Sequence, residues 1–228
     1  MRSLWVAALC LPLAAFAEER AETRELVGQI GSRSALLVVH AAERAEGGWQ
    51  LSGEYIVFPT LMRRYLQGER GPELGVTTLK EGATPILFGR DSVGELRGVW
   101  RGGIFRGTRY GPGGQERERF EFSEEFPSME AYSAKVRCEP LDYDIEEGKV
   151  KRFEWRSPGC TLSALEQAPM KGGLRLVSGE CAVTLREVGD TVKVAADGCS
   201  ARCGAGSQLE PLIVDRRGSC RVLRAEGR

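Results

Sequence analysis

The sequence predicts an all-β protein: an antiparallel meander, coiled or partly closed into a barrel, followed by a small disulfide-stapled β-domain. Three observations predict it. Turn signals built on Gly, Pro and charge recur about every 8–12 residues between Gly28 and Glu121, the spacing of short strands joined by hairpins. The apolar stretches between them alternate with period two, not 3.6. The cysteines are also segregated. The first 137 residues hold only Cys10, whereas the remainder hold Cys138, Cys160, Cys181, Cys199, Cys203 and Cys220. An even set after an apolar leader reads as a disulfide framework in an exported chain.

Residues 1–17 read as that leader. Arg2 is its basic start, Leu4 to Leu13 its apolar stretch, and Ala15-Phe16-Ala17 a small-x-small cleavage signal before the polar Glu18-Glu19-Arg20. The apolar run is shorter than the ~20 residues a bilayer-spanning helix needs, and no later transmembrane segment is expected. Leu9 stands where a lipobox needs a small residue, so cleavage after Ala17 without a lipid anchor is the reading.

Residues 18–128 read as the disulfide-free β-domain. Residues 18–27 look like a polar lead-in. Ala35 to Val39 is an apolar strand. Trp49 to Phe58 alternates, with Trp49, Leu51, Gly53, Tyr55 and Val57 on one face, and Pro59 ends it. Tyr65-Leu66, Val76 to Leu79, Ile86 to Phe88, Glu95 to Arg101 and Glu118 to Phe122 continue the series. A two-turn helix over Leu61 to Gln67 is the one helical rival. Leu51-x-Gly53-x-Tyr55 and Leu96-x-Gly98-x-Trp100 echo each other; on a strand, each glycine leaves room for a ring to lie over the backbone and marks sharp coiling.

The ordered set Gly53-x-Tyr55, Leu66-x-Gly68, Leu79-x-Glu81 and Gly98-x-Trp100 resembles a β-domain of exported bacterial proteins of unknown function, in which these motifs fall on successive strands. The likeness covers residues 28 to about 125, with a first strand poorer in tyrosine and an atypical insert at Leu61 to Arg64. It implies an extracytoplasmic β-sheet domain and carries no catalytic residues.

The boundary falls near Phe126-Pro127-Ser128, and residues 129–228 read as the cysteine-rich domain, a small barrel or sandwich. Tyr132 to Cys138, Val150 to Trp155, Leu174 to Val177, Cys181 to Leu185 and Thr191 to Ala195 read as strands, and Leu141 to Gly148 as an acidic loop. Six cysteines allow 15 connectivities, and spacing does not choose among them. The pairing expected is Cys138–Cys160, Cys181–Cys199 and Cys203–Cys220. The segment Cys181…Cys199-x-x-x-Cys203-Gly204 is similar to the C-terminal segment of several small secreted bacterial β-domains, some of which inhibit cell-wall hydrolases.

Composition narrows the function. Acidic and basic residues balance at 32 each, so no global field steers the chain to nucleic acid or anionic membrane. His40 is the one histidine, at the end of an apolar strand where a packing or hydrogen-bonded role is the expectation; Ser-His-Asp, Cys-His and most zinc chemistry would all have to use it. No Cys-x-x-Cys pair exists. The acidic stretch Asp142 to Gly148 fails the EF-hand pattern, with Glu147 at the glycine position and Phe153 at the final one. The pairs Glu124-Glu125, Glu116/Glu118 and Glu146-Glu147 offer carboxylates but no apolar frame to raise a pKa. No cofactor or metal is expected.

The segment Trp100 to Tyr110 interleaves Trp100, Phe105 and Tyr110 with Arg101, Arg106 and Arg109. Rings beside guanidinium groups suit sugar faces and anions. This is the candidate ligand surface; the alternative is a glycine-rich hairpin with its arginines in water. The function expected is a non-enzymatic binding module at the cell envelope, its partner an envelope protein or glycan. The alternatives are an inhibitor of a lysozyme-like hydrolase, presenting the acidic loop, and a carboxylate-based enzyme acting on envelope glycans.

Overall fold

The computed structural model describes residues 21–45, 47–70, 75–85, 92–204 and 209–223. The leader with Cys10, and the strand expected at Ile86 to Phe88, lie outside these. The protein is all-β. Strands β1 (Ala21–Ile30), β2 (Arg33–Glu43), β3 (Trp49–Val57), β4 (Met62–Arg70), β5 (Thr77–Gly82), β6 (Ser92–Arg101), β7 (Ile104–Tyr110) and β8 (Arg117–Ser123) form a closed antiparallel barrel in sequence order. Closure comes from Val27 to Ile30 of β1 pairing with Phe120 to Ser123 of β8.

Alternation decides what faces inward. Leu51, Tyr55 and Val57 are buried on the inner face of β3, and Trp49 packs at its upper end. Leu26, Leu37, Leu66, Leu79, Leu96, Phe105 and Phe122 fill the rest. An eight-stranded barrel is just wide enough for such side chains or for one small ligand. The four motifs of the sequence resemblance place Tyr55, Leu66, Leu79, Glu81 and Trp100 on this inner, buried face. The glycines do two jobs. At Gly53 a Cβ would run into the Val38 carbonyl of β2, so the glycine permits the close strand approach of tight coiling. At Gly98 a Cβ would meet the Arg106 carbonyl at 2.5 Å and also sit 2.7 Å from the Phe120 ring and 2.9 Å from Phe105, so here the glycine yields space to rings as well as to the neighbouring strand.

In the barrel two expectations need correction. The polar lead-in at residues 18–27 is, from Ala21, the strand that closes the barrel: its apolar residues are few because its N-terminal half lies at an open rim. Leu61 to Gln67 is not helical; Tyr65 and Leu66 sit in β4, paired on both sides by β3 and β5.

A connecting segment, which contains residues 126–128, leads to the cysteine-bearing half. There β9 (Ala134–Cys138), β10 (Leu141–Glu146), β11 (Lys149–Ser157) and β12 (Cys160–Leu162) make a four-stranded meander. Strands β13 (Glu166–Ala168), β14 (Leu174–Ser178), β15 (Cys181–Val188) and β16 (Thr191–Asp197) are followed by a helical turn, α1 (Ser200–Cys203), then β17 (Leu212–Asp215) and β18 (Cys220–Val222), completing a six-stranded sheet. The sheets share one core, with Tyr143, Phe153 and Trp155 from the first against Leu176, Val183, Leu185 and Val194 from the second. This is a sandwich. The acidic loop expected at Leu141 to Gly148 is therefore mostly strand β10: Leu141, Tyr143 and Ile145 point into the core while Asp142 and Asp144 point out.

The cross-links are Cys138–Cys220, Cys160–Cys203 and Cys181–Cys199. Only Cys181–Cys199 matches the expected pairing. Cys181–Cys199 joins β15 to the turn after β16, whereas the other four cysteines bypass their sequence neighbours because their links run between distant elements, β9 to β18 and β12 to α1. Such disulfides are characteristic of a non-cytoplasmic protein.

The halves pack together. Leu36, Ile56 and Phe58 of the barrel's outer side meet Phe126 of the connection and Val188 and Ile213 of the six-stranded sheet. Beside them Glu25 of β1 accepts from Arg186 at 2.7 Å and from Lys193. Among the described residues no helix is long and apolar enough to cross a membrane. The barrel's apolar side is its interior, the reverse of a lipid-facing barrel.

Candidate binding site at the barrel mouth

The barrel is filled unevenly along its axis. Towards the β1–β2 and β7–β8 turns it is plugged by charge. Arg109 of β7 donates from Nε to Glu81 Oε1 at 2.9 Å and from a terminal nitrogen to Glu81 Oε2 at 3.0 Å. Its Nε also reaches the Tyr55 hydroxyl at 3.2 Å, and its other terminal nitrogen Glu118 at 3.2 Å. Arg33 completes the chain on Glu118 at 2.8 Å. Glu81 is fully buried. Burial pushes the Tyr55 phenol well above its ordinary value, and the Glu81 carboxylate adds to this. Burial alone would lower the Arg109 guanidinium; its hydrogen bond to Glu81 and the field of Tyr55 hold it above its usual value instead. With the exposed Glu116 also 3.9 Å from Arg109, two cations facing three carboxylates make a satisfied plug.

Among the described residues the opposite end is open. A cavity of about 260 Å³ is lined by Val39 and Ala41 of β2, Trp49 and Leu51 of β3 and Trp100 of β6, with Glu22, Arg24 and Arg70 among its lining residues. Trp100 in its wall is backed by further rings. Trp100 stacks on Phe105 with centroids 4.5 Å apart and planes within 10°, and Phe105 leans on Phe120 at 4.8 Å. Trp49 and Arg70 are cross-strand partners on β3 and β4, so the register sets a ring beside a guanidinium. Arg24 is engaged by Glu22 at 2.9 Å and Glu124 at 2.8 Å. Arg70 makes no ion pair among the described residues. The arrangement offers an apolar slot, two indoles and, among the described residues, one cation without an ion pair at its edge.

No family model, curated protein or solved structure matches this chain. The reading of its function therefore rests on what the site itself can bind.

The expected ligand surface does not hold together, because alternation divides it. Trp100, Phe105 and Arg109 point inward and are buried, while Arg101 and Arg106 are exposed on the outer face. Tyr110 lies between Arg97 and Arg117, whose guanidinium carbons stand 5.3 and 5.5 Å from its ring. Of the six residues only Trp100 lines the mouth. Trp49 and Arg70 went unnoticed as site residues, although Trp49 heads the same alternating face as Leu51 and Tyr55.

The other candidates are accounted for by their neighbours. Asp142 pairs with Arg137 and Arg152, and Asp144 with Lys135. Lys171 holds the Glu125 carboxyl below its usual range. Glu118 and Glu124 face arginines, and Glu146 faces Lys151. His40 lies on the exposed side of β2, its Nδ1 2.9 Å from the Thr23 hydroxyl across the β1–β2 pair.

Proposed function

We propose that the protein is an exported, non-enzymatic binding module of the cell envelope. Its barrel mouth takes a small amphipathic anion, with an apolar or aromatic body in the slot between Trp49 and Trp100 and a carboxylate or similar head on Arg70. Barrel mouths are a preferred place for such sites, and a few placed polar groups on an apolar wall are their usual chemistry. The observation that carries the reading is the open aromatic end, set against the plugged opposite end of the same barrel. Its volume of about 260 Å³ suits one substituted ring or a short acyl chain, given that a cavity of about 150 Å³ holds benzene.

Calorimetry with 4-phenylbutyrate and 4-phenylbutanol tests it. The two share a body and differ in charge. The account predicts that the acid binds about tenfold or more tightly than the alcohol, as a charge-assisted hydrogen bond of about 1.5–3 kcal/mol implies. Arg70→Gln removes that difference, and Trp100→Ala weakens both ligands. Equal affinity of acid and alcohol in the unaltered protein removes Arg70 from the site; no binding of either at millimolar concentration overturns the reading.

A further inference from the structure

The barrel's outer side is unevenly charged, although the chain as a whole is balanced at 32 basic and 32 acidic residues. The strip centred on β1 to β3 is covered by the cysteine-bearing half. The outer face of β6 to β8 is exposed and basic. Register builds it in rows: Arg101 beside Ile104, Val99 beside Arg106 and Glu121, Arg97 beside Thr108 and Arg119, and Glu95 beside Tyr110 and Arg117. Lys80 of β5 extends the last row next to Glu95. Two carboxylates thus stand among six cations. Glu95 is engaged by Arg97, whereas Arg101, Arg106, Arg117 and Arg119 make no ion pair among the described residues.

We infer that this face is a second binding surface, independent of the mouth, and that its partner is an anionic polysaccharide. Strand geometry spaces its side chains about 4.8 Å apart across the sheet and about 6.8 Å along it. That makes a rigid grid of forked donors, suited to the repeating carboxylate, phosphate or sulfate groups of an extended polymer. Tyr110, held between Arg97 and Arg117, and the exposed Val99 supply small apolar faces among the charges. A protein partner would want a cluster of large apolar anchors to desolvate. A membrane would want side chains to insert. On this face Val99 is the sole exposed large hydrophobic among the described residues.

The test is binding of the oxidised protein to heparin, as a sulfated probe, and to alginate, as a carboxylated one. Vesicles rich in phosphatidylglycerol form the third arm. The unaltered protein is compared with Arg106→Gln/Arg119→Gln and with Arg175→Gln/Arg217→Gln; the second pair removes equal charge from exposed sites on the other half. Thermal melting confirms that both variants fold. The expected result is polysaccharide affinity that falls with rising salt, drops about tenfold or more in Arg106→Gln/Arg119→Gln, and stays within twofold in Arg175→Gln/Arg217→Gln. Loss in both variants or in neither, vesicle binding without polysaccharide binding, or no binding to either polymer would overturn the inference. Phenylbutyrate affinity, read on the same samples, stays unchanged in Arg106→Gln/Arg119→Gln.

Discussion

The barrel encloses a hollow end around Trp49 and Trp100 with no cross-link of its own, whereas the β9–β18 half fills its core with residues such as Tyr143 and Trp155 and carries three disulfides. The difference follows from how each sheet ends. Closing β1 on β8 through Val27–Ile30 and Phe120–Ser123 gives every strand of the barrel a hydrogen-bonded partner on each side. The sandwich keeps the edges β9, β12, β13 and β18. Two of its disulfides act there: Cys138–Cys220 ties β9 to β18, and Cys160–Cys203 ties β12 to α1. A covalently fastened sandwich supports a barrel that is free to keep one end empty.

Reduction breaks the comparison most severely. In the chain-entropy account, the 82-residue loop closed by Cys138–Cys220 stabilises by about 4 to 5 kcal/mol and the 18-residue loop of Cys181–Cys199 by about 3. Losing all three links removes an amount comparable with the whole margin of an ordinary domain, about 5–15 kcal/mol. Reductant is therefore expected to expose Trp155 while Trp49 and Trp100 keep their folded emission, read in Trp155→Phe and Trp49→Phe/Trp100→Phe versions of the chain from residue 18 onward. Loss of both signals together would mean that the contact through Ile56, Phe126 and Ile213 makes the halves one cooperative unit.

The barrel's weak point is its charged plug. Glu81→Ala leaves Arg109 with only the half-buried Glu118 and, at 3.9 Å, the exposed Glu116, and is expected to cost about 3–5 kcal/mol in denaturant unfolding of the barrel. Glu81→Leu with Arg109→Met removes both charges and is expected to recover most of that. If the double replacement is as damaging as the single one, the plug holds register rather than merely filling space.

Much of this architecture was legible in the sequence. Period-two alternation placed Leu51, Tyr55 and Val57 on one buried face, and cysteine segregation separated the two halves. What escaped was whatever depends on the third dimension. Strand β10 was hidden because its outward aspartates outweighed the alternation of Leu141, Tyr143 and Ile145. Strand β1 was hidden because its first half borders an open rim and is polar. Trp49, Arg70 and Trp100 come together only when the barrel closes, and no spacing along the chain signals that. Treating Trp100 to Tyr110 as one surface ignored the alternation that sends Arg109 in and Arg106 out.

A smaller effect separates the halves by pH. The Tyr55 phenol is raised above its ordinary 10.0, first by burial and then by Glu81. A group whose folded value is raised contributes stability that is present below the unfolded value and is lost as pH climbs above it. Above pH 10 the unaltered protein is thus expected to lose stability more steeply than Tyr55→Phe, in unfolding followed through Trp49 and Trp100. Parallel curves for the two would show that Tyr55 does not control the alkaline limit of the barrel.

The central claim, that ligand enters the barrel mouth while the cross-linked half serves as its support, is tested most directly by the indole N–H signals in a nitrogen-15 correlation spectrum during titration with 4-phenylbutyrate. Trp49 and Trp100 line the mouth and Trp155 lies in the core of the other half, so one experiment reads both regions. The account predicts that the Trp49 and Trp100 signals shift together and saturate at one dissociation constant while Trp155 stays in place. Movement of Trp155 with the other two unmoved, or no movement of any signal at millimolar ligand, would contradict it.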